Sequence, residues 1–249
     1  MIELTQIERG ALQTQPYGWA AIDKLFSPPN AAALADTFPL YHFKTVASYG
    51  GEKDYKYEAR SLIAMGADTV SHPEELSEIW LAQARDLLSP AYRQAMSSLT
   101  KCDLTSAPME VNVFHYGPGA CLGPHPDLED KIVTHVMYFN HSWNREDGGC
   151  LTVLRSANSA DVAAEILPIV GNTAVLVRSE NSWHAVSPVV NWCRRSRRSL
   201  TVTFYRPDSV STLWPTGETT QLHRYTEVEA AHPANSWSRW LQRLVSSRI

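Results

Sequence analysis

The chain has 249 residues, of which 44% are hydrophobic, and its formal net charge is −4 at pH 7. This length and apolar content predict a substantial buried core, and we expect a single domain over residues 1–249. The acidic balance argues against an extended basic face, so we expect no nucleic-acid partner.

Targeting signals are not apparent in the sequence. Residues 1–8 lack the basic start and apolar core of a secretory signal. The longest apolar stretch, residues 166–177, contains Pro168 and Gly171 and is shorter than the ~20 residues that cross a bilayer. We therefore expect a cytoplasmic protein with no membrane partner. The cysteines lack metal-motif spacing and are expected to be free: Cys102, Cys121, Cys150 and Cys193.

The first 107 residues are predicted to form a helical support and lid region. Segment 44–67 is rich in Gly, Tyr, Lys and Asp and has no clean periodicity, so we interpret it as a loop or short hairpin over the mouth of a site. The other predicted elements are one strand and three helices: residues 17–23, then 30–36 with Ser27 or Asn30 as cap, 73–88 and 91–99.

Residues 108–207 have the pattern of a β-rich core. Short alternating segments are separated by turn signals, which is typical of jelly rolls. The fold class that we expect is α+β or mainly β: a double-stranded β-helix, or cupin-like jelly roll, with N-terminal supporting helices. The predicted strands lie at residues 112–116, 133–140, 150–154 and 197–203.

Residues 208–249 are predicted to form a linker followed by a helix at 233–245. The run at residues 213–215 is placed over one end of the barrel. The apolar stripe of the final helix packs on the domain or forms a dimer interface, so both a monomer and a homodimer are open.

One candidate metal site stands out. His125, Pro126 and Asp127 form an H-x-D motif, and His184 follows in a second motif, Trp183-His184-Ala185. Side chains two residues apart project from one face of an extended segment, and a barrel can bring a distant histidine beside them. Two imidazoles and one carboxylate suit Fe(II) and leave coordination positions open for other ligands.

Several landmarks in this order resemble the 2-oxoglutarate- and Fe(II)-dependent dioxygenases of the prolyl-hydroxylase type. The resemblance covers residues 108–207 approximately. Its landmarks are Tyr116, Gly119, the H-x-D motif, residues 136–140, Trp143, Gly148-Gly149, His184 with Pro188, and Arg197 with Thr201-Val202.

The resemblance implies that His125, Asp127 and His184 are the iron ligands and the catalytic centre. It also implies that an arginine on the last strand binds the distal carboxylate of 2-oxoglutarate, through the two-pronged hydrogen bonding that guanidinium allows. Tyr138 is similar to the tyrosine that assists at this carboxylate, and Tyr116 is expected near the iron end of the cosubstrate.

Two arginines compete for the carboxylate-binding role. Arg197 lies thirteen positions after His184, a few more than the family spacing, and Arg198 follows it directly. Alternation places Arg197, Ser199, Thr201 and Thr203 on one face of the strand and Arg198 on the other. A register slip of one residue would exchange the faces. We predict Arg197 and Thr201 as cofactor-binding residues and keep Arg198 as the alternative.

The resemblance implies an oxidoreductase that uses Fe(II), 2-oxoglutarate and O₂, with ascorbate as a candidate reductant. We expect it to hydroxylate an unactivated C–H bond of a small molecule, such as an amino acid or a secondary-metabolite intermediate, with release of succinate and CO₂. The candidate substrate contacts are Asn112, Arg155, Trp143 and Trp183.

Other functions stay open at this level. The same site in related enzymes supports peptidyl-prolyl hydroxylation, desaturation, epimerisation and cyclisation. Outside the oxygenases, the alternatives are a cupin-like metal-binding protein without catalysis and a zinc hydrolase, in which the same ligands would activate water. The zinc hydrolase offers no reason for the arginine on the last strand.

Overall fold

The fold was analysed in a computed structural model that describes residues 1–48, 55–217 and 219–227. The helix predicted at residues 233–245 lies outside these ranges. Eleven antiparallel strands in the described residues form one sheet that curls into a nearly closed, jelly-roll barrel. The strands are β1 Trp19–Ile22, β2 Lys44–Ser48, β3 Tyr55–Ile63, β4 Met109–Tyr116, β5 Cys121–His125, β6 Lys131–Tyr138, β7 Leu151–Leu154, β8 Val162–Ile166, β9 Thr173–Val177, β10 His184–Val186 and β11 Arg197–Tyr205.

The strand order explains how the barrel closes. The sheet runs β1-β9-β6-β11-β4-β3-β5-β10-β7-β8, with β2 paired to β3. Strand β3 pairs with β4 along most of its length and with β5 at Tyr55 and Lys56, so it joins the two walls. The predicted double-stranded β-helix is confirmed, and residues 1–107 contribute three strands to it as well as helices.

Strand β11 separates the two apolar regions of the protein. Leu200, Val202 and Phe204 point outward and are fully buried against the helices. The intervening side chains of β11 point into the barrel, where they line a cavity. Because period-two alternation puts an apolar side chain on one face and a polar one on the other, the register of this strand is fixed by the burial of its outer face.

The helices cover the outer face of β4, β6 and β11. They are α1 Leu4–Arg9, α2 Pro28–Asp36, α3 Glu78–Leu88 and α4 Pro90–Thr100. Trp80 and Tyr92 are fully buried in this layer. Ser89 caps α4 by accepting a hydrogen bond from the backbone N–H of Tyr92 at 3.2 Å, and Pro90 occupies the first turn, where its missing N–H costs nothing. In the part of the chain that the structure describes, no helix has the length and apolarity needed to span a membrane.

Two helix boundaries differ from those predicted. The helix expected at residues 73–88 begins at Glu78, because Leu76 and Ser77 are extended and Ser77 takes the N-cap position. Pro73–Glu75 form a separate 3₁₀ turn. Helix α2 begins at Pro28, two residues earlier than predicted, since prolines are favoured at the first helical positions. The strand predicted at residues 17–23 is confirmed as β1.

Within segment 44–67, strands β2 and β3 pair antiparallel, as in the hairpin that was one of the two predicted forms. Its second strand, β3, has nine residues and is a central member of the sheet. Val46, Tyr55 and Tyr57 from this hairpin line the cavity. The hairpin is therefore part of the barrel wall at the cavity mouth.

Candidate active site

Three buried side chains meet at one end of the cavity. A nitrogen of His125, a carboxylate oxygen of Asp127 and a nitrogen of His184 all lie within 4.8 Å of one another. His125 ends β5, His184 begins β10, and the two residues are register partners across these antiparallel strands. Asp127 lies in the loop after β5, so only His125 of the H-x-D motif is in a strand. The predicted convergence of these three residues is present.

The orientation of each histidine is fixed by a backbone carbonyl two residues earlier. Nδ1 of His125 donates to the oxygen of Gly123 at 2.8 Å, and Nδ1 of His184 donates to the oxygen of Ser182 at 2.8 Å. With the proton on Nδ1, Nε2 is the nitrogen with a lone pair for a metal. Hydrogen bonds of this kind hold the tautomer and ring angle of metal-ligating histidines.

Asp127 is held as a carboxylate by four polar neighbours. Burial would raise its pKa, but Lys131 and the two triad imidazoles outweigh burial, and the pKa of Asp127 falls well below its usual range. The Lys131 ammonium donates to Oδ1 at 2.6 Å, and the Thr134 hydroxyl donates to Oδ2 at 2.7 Å. The triad therefore presents two nitrogen donors and one anionic oxygen, which is the donor set that suits Fe(II).

The triad opens into a cavity of about 430 Å³, a volume typical of small-molecule sites. Its walls come from β4, β6 and β11 on one side and from β5, β7 and β10 on the other. Leu151, Leu176 and Val186 supply apolar lining, and Thr212 and Leu213 cover it from the C-terminal segment. As predicted, residues 213–215 lie at an end of the barrel.

Arg197 projects into this cavity from β11. It is 2% exposed, and its Nη1 donates to Oγ of Ser199 at 2.7 Å, so the side chain runs along the strand in the direction of Ser199. Arg197 forms no ion pair with a carboxylate of the described residues. A buried cation without a counter-ion is costly, and the cost is removed when an anion binds beside it.

Two tyrosines flank the guanidinium. Its carbon lies 4.8 Å from the ring centroid of Tyr116 and 5.1 Å from that of Tyr138. The Tyr138 hydroxyl and Nε of Arg197 are both buried and have no hydrogen-bond partner among the described residues. Burial raises the pKa of Tyr138 to about 12, so the hydroxyl stays protonated and can donate. Tyr116 contacts the guanidinium end of the cavity, whereas the sequence predicted the metal end.

These observations test whether the residues fit Fe(II) and a keto dicarboxylate. The triad offers donors for the metal, and the same cavity holds a buried guanidinium that has no ion pair in the described residues, beside the Tyr138 hydroxyl, which has no acceptor there. A dicarboxylate with one end at the metal would supply the anion that Arg197 lacks and the acceptor that Tyr138 lacks. The residues fit both groups.

Residues 111–206 match the family model described as the 2OG-Fe(II) oxygenase superfamily. Residues 111–206 are a 2OG-Fe(II) oxygenase domain. The superfamily consists of non-haem iron oxidoreductases, and the family implies Fe(II), 2-oxoglutarate and O₂ for this enzyme. The match contains all three triad residues and Arg197.

The chain is similar in fold to solved structures. A prolyl-4-hydroxylase from Pseudomonas putida is 22% identical, with a TM-score of 0.52 and coverage of 76% of this chain and 92% of that chain. A prolyl hydroxylase from Trichoplax adhaerens, in complex with a hypoxia inducible factor peptide fragment, is 15% identical, with a TM-score of 0.49 and coverage of 82% and 87%. At such identities the likeness to the first structure establishes the fold alone. Sequence comparison gives no match among curated proteins.

The two other predicted cofactor contacts on β11, Thr201 and Arg198, lie on opposite faces of the strand, as the alternation of side chains requires. Thr201 faces the cavity with Arg197. Arg198 faces outward, where it donates to the backbone oxygen of Ala35 and pairs with Glu227 at 3.1 Å. The geometry therefore favours Arg197 over Arg198 as the guanidinium of the oxygenase site.

Of the four predicted substrate contacts, only Asn112 lines the cavity. Its Oδ1 accepts a hydrogen bond from Nε1 of Trp214 at 2.7 Å. Arg155 is exposed and pairs with Asp161, and Trp143 is buried outside the cavity, where its Nε1 donates to the backbone oxygen of Gly148. Trp183 is outside the cavity lining as well. The structure thus places these three side chains outside the cavity lining, since each was predicted from proximity in sequence to a motif and not from the face of a strand.

Sequence reasoning missed the residues that support the triad. Lys131 and Thr134 both hydrogen-bond Asp127, and Ser199 hydrogen-bonds Arg197. Alternation already placed Thr134 and Ser199 on inward faces, so a signal for their position was available. The pairing of Lys131 with Asp127 depends on how the loop after β5 turns, which no local pattern indicates.

Proposed function

We propose that this 2OG-Fe(II) oxygenase hydroxylates an unactivated C–H bond of a small molecule, an amino acid or a secondary-metabolite intermediate. The reaction would consume 2-oxoglutarate and O₂ and yield succinate, CO₂ and the hydroxylated product. The observation that carries the proposal is Arg197, a buried cation that has no carboxylate partner in the described residues and faces the cavity of the triad. The mechanism of a zinc hydrolase would not require a buried arginine in this cavity.

The chain's own groups would divide the work of binding. His125, His184 and Asp127 hold the metal, and Lys131 and Thr134 keep the carboxylate of Asp127 in place. Fe(II) with 2-oxoglutarate and O₂ supplies the two-electron oxidation of the C–H bond, while the protein supplies orientation and charge balance.

The 2-oxoglutarate end of the site is assigned to Arg197 and Tyr138. The guanidinium would donate to the distal carboxylate, and the Tyr138 hydroxyl would donate to the same group. Ser199 holds Nη1 at 2.7 Å, which limits rotation of the guanidinium. A donor set that is already oriented loses little entropy when the anion binds.

A small substrate is favoured because the segment after β11 covers part of the cavity. Leu213 and Thr212 lie over it, and Trp214 is fastened to Asn112 by a hydrogen bond of 2.7 Å. Lys44 lies against the same tryptophan, with its Nζ 4.4 Å from the ring centroid. Apolar lining from Leu151, Leu176 and Val186 would exclude water from the reacting carbon.

The test is formation of succinate from 2-oxoglutarate by the aerobic Fe(II) enzyme, screened against amino acids and small metabolites. We expect stimulation by a member of the screen and loss of that stimulation to background in His125→Ala and His184→Ala. His141→Ala, which changes an exposed histidine outside the cavity, is the control and should retain turnover. Normal turnover in either triad variant would contradict the proposal.

A further inference from the structure

A second buried charge lines the same cavity. Glu110 lies on β4, is 3% exposed, and shares its inward face with Asn112, Phe114 and Tyr116. It forms no ion pair with any Lys, Arg or His of the described residues. Lys131, a cation of the same cavity, bonds to Asp127 instead. The cavity therefore contains a carboxylate without a cationic partner as well as a guanidinium without an anionic one.

The hydrogen bonds of Glu110 do not neutralise it. The Tyr205 hydroxyl donates to Oε2 at 3.2 Å, and the Ser211 hydroxyl donates to Oε1 at 2.5 Å. Both donors are neutral, and a carboxylate can accept about four hydrogen bonds. A buried carboxylate with spare acceptor positions favours a cation that can donate to it.

The register of the sheet places Glu110 at the level of the metal. Glu110 pairs with Thr203 on β11, and Thr203 pairs with Thr134 on β6. Two interstrand steps of about 4.8 Å each separate Glu110 from Thr134. Thr134 bonds to Asp127, whereas Arg197 lies six residues before Thr203 on the same strand. The carboxylate is thus near the triad, and the guanidinium is toward the far end.

We propose that Glu110 binds a protonated amino group of the substrate, so that this oxygenase acts on amines such as free amino acids. The inference rests on the proposed function and narrows its substrate class. Arg197 would take the distal carboxylate of 2-oxoglutarate, and Glu110 would hold the ammonium of the substrate at the level of the metal. Each buried charge of the cavity then has a partner of opposite sign.

A purely structural role for Glu110 makes a different prediction. Ser211 also accepts a hydrogen bond from the backbone N–H of Trp214, so Glu110 could serve only to fasten the segment that covers the cavity. In that case Ser211→Ala would reproduce the effect of Glu110→Gln. If Glu110 binds an ammonium, Ser211→Ala keeps the charge and keeps the preference for amines.

The experiment uses the full chain with Fe(II) and 2-oxoglutarate, and its probes are the free L-amino acids, each paired with its N-acetyl derivative. We measure succinate formation in air and, without O₂, the change that each probe makes in the visible charge-transfer band. The wild type is expected to respond to free amino acids and not to the acetylated partners. In Glu110→Gln, KM for the responding amino acid should rise at least about tenfold.

Control variants test whether the effect of Glu110→Gln comes from the loss of its charge or from a change in the contacts around it. Glu165→Gln removes a carboxylate that pairs with Arg145 outside the cavity, and it should match the wild type. Tyr205→Phe and Ser211→Ala should keep the discrimination between free and acetylated probes. Circular dichroism checks folding, and the comparison of probes on the wild type tests the inference even if Glu110→Gln does not fold.

Blocked proline peptides are added to the panel as substrates without an amino group. Four results would overturn the inference. They are an equal response to free and acetylated probes, turnover of the proline peptides with no response to any amine, an equal effect of Ser211→Ala and Glu110→Gln, and no response to the whole panel. If the charge-transfer band forms in these cases, the Fe(II) and 2-oxoglutarate site stands and the amine inference fails; turnover of small molecules without an amino group would leave the proposed function intact, whereas turnover of peptides alone would contradict it as well.

Discussion

Arg197 and Tyr116 are direct register partners across β11 and β4, and the guanidinium carbon lies 4.8 Å from the centroid of the Tyr116 ring. Tyr138 approaches the same guanidinium from β6. Ring faces attract a desolvated cation but do not neutralise its charge, and Nε of Arg197 has no acceptor among the described residues. This arrangement orients Arg197 without neutralising it, which suits a group that binds an anionic cosubstrate.

Replacement of Arg197 by Gln should weaken binding of 2-oxoglutarate. Loss of one partner of a buried charged pair costs about 2–5 kcal/mol, which corresponds to a rise in Kd of at least about 30-fold. Arg198→Gln is the matched control, because its side chain points to the outer layer. Kd is measured by anaerobic titration of the Fe(II) enzyme. An unchanged Kd in Arg197→Gln, or an equal rise in Arg198→Gln, would show that the wrong arginine has been assigned.

Thr134→Val should lower the affinity for Fe(II). The valine keeps the shape of the side chain but removes the hydrogen bond to Oδ2 of Asp127. Loss of such an outer contact to a metal ligand reduces metal affinity by about 10- to 100-fold. Isothermal titration under anaerobic conditions gives the Kd. Thr173→Val, which removes a hydrogen bond to the backbone oxygen of Val136, is the control, and an equal loss in both variants would refute a specific role for Thr134.

Acid should destabilise the protein through its buried histidines. Burial lowers the pKa of His135 to about 3, against about 6.5 in an unfolded chain. Between these pH values His135 binds a proton in the unfolded chain but not in the folded one. Its contribution to the free energy of unfolding is therefore fully present above pH ~6.5 and decreases as the pH falls toward 3. The slope is about 1.4 kcal/mol per pH unit for each such histidine. Urea unfolding at several pH values measures it.

His135→Gln should reduce the dependence of the free energy of unfolding on pH by the contribution of one histidine, about 1.4 kcal/mol per pH unit. His115 should supply a similar share, because its pKa is also lowered to about 3, chiefly by burial. A slope in His135→Gln equal to that of the wild type would mean that His135 is not the group that titrates on unfolding.

The turn before β7 should not tolerate a side chain at Gly148. Its φ is +69°, and a Cβ there would lie 2.0 Å from the backbone oxygen of Pro188. Gly66 has a similar φ of +68°, and a Cβ there would have no neighbour within 4 Å. Gly66→Ala should therefore lose only the about 1–2 kcal/mol that an L-residue loses in the left-handed backbone conformation. The free energy of unfolding should fall further in Gly148→Ala. Equal losses in the two variants would exclude a contact with Pro188 as the cause.

The triad and its arginine could be predicted from sequence, because each depends on a short pattern. The H-x-D motif and the later histidine carry donor types that fit one metal, and period-two alternation correctly put Arg197 inward and Arg198 outward. After Arg198, the outer face of β11 is apolar at Leu200, Val202 and Phe204, so the register of the strand could be inferred without the fold.

The substrate side could not be predicted in the same way. Trp143 and Arg155 were chosen for their positions near motifs, but turns direct them away from the cavity. Glu110 has the same parity on β4 as Asn112 and Tyr116, so alternation could have identified it. Its lack of a cationic partner depends on contacts between β4, β11 and the segment near Ser211, which are distant in sequence.

Anaerobic titration of the full chain with Fe(II) and 2-oxoglutarate tests the central claim most directly. We expect a visible charge-transfer band that requires both components, is absent in His184→Ala, and shifts to higher 2-oxoglutarate concentration in Arg197→Gln. A wild-type protein that forms no band, or a band that persists unchanged in His184→Ala, would contradict the convergence of triad and arginine on one ferrous site.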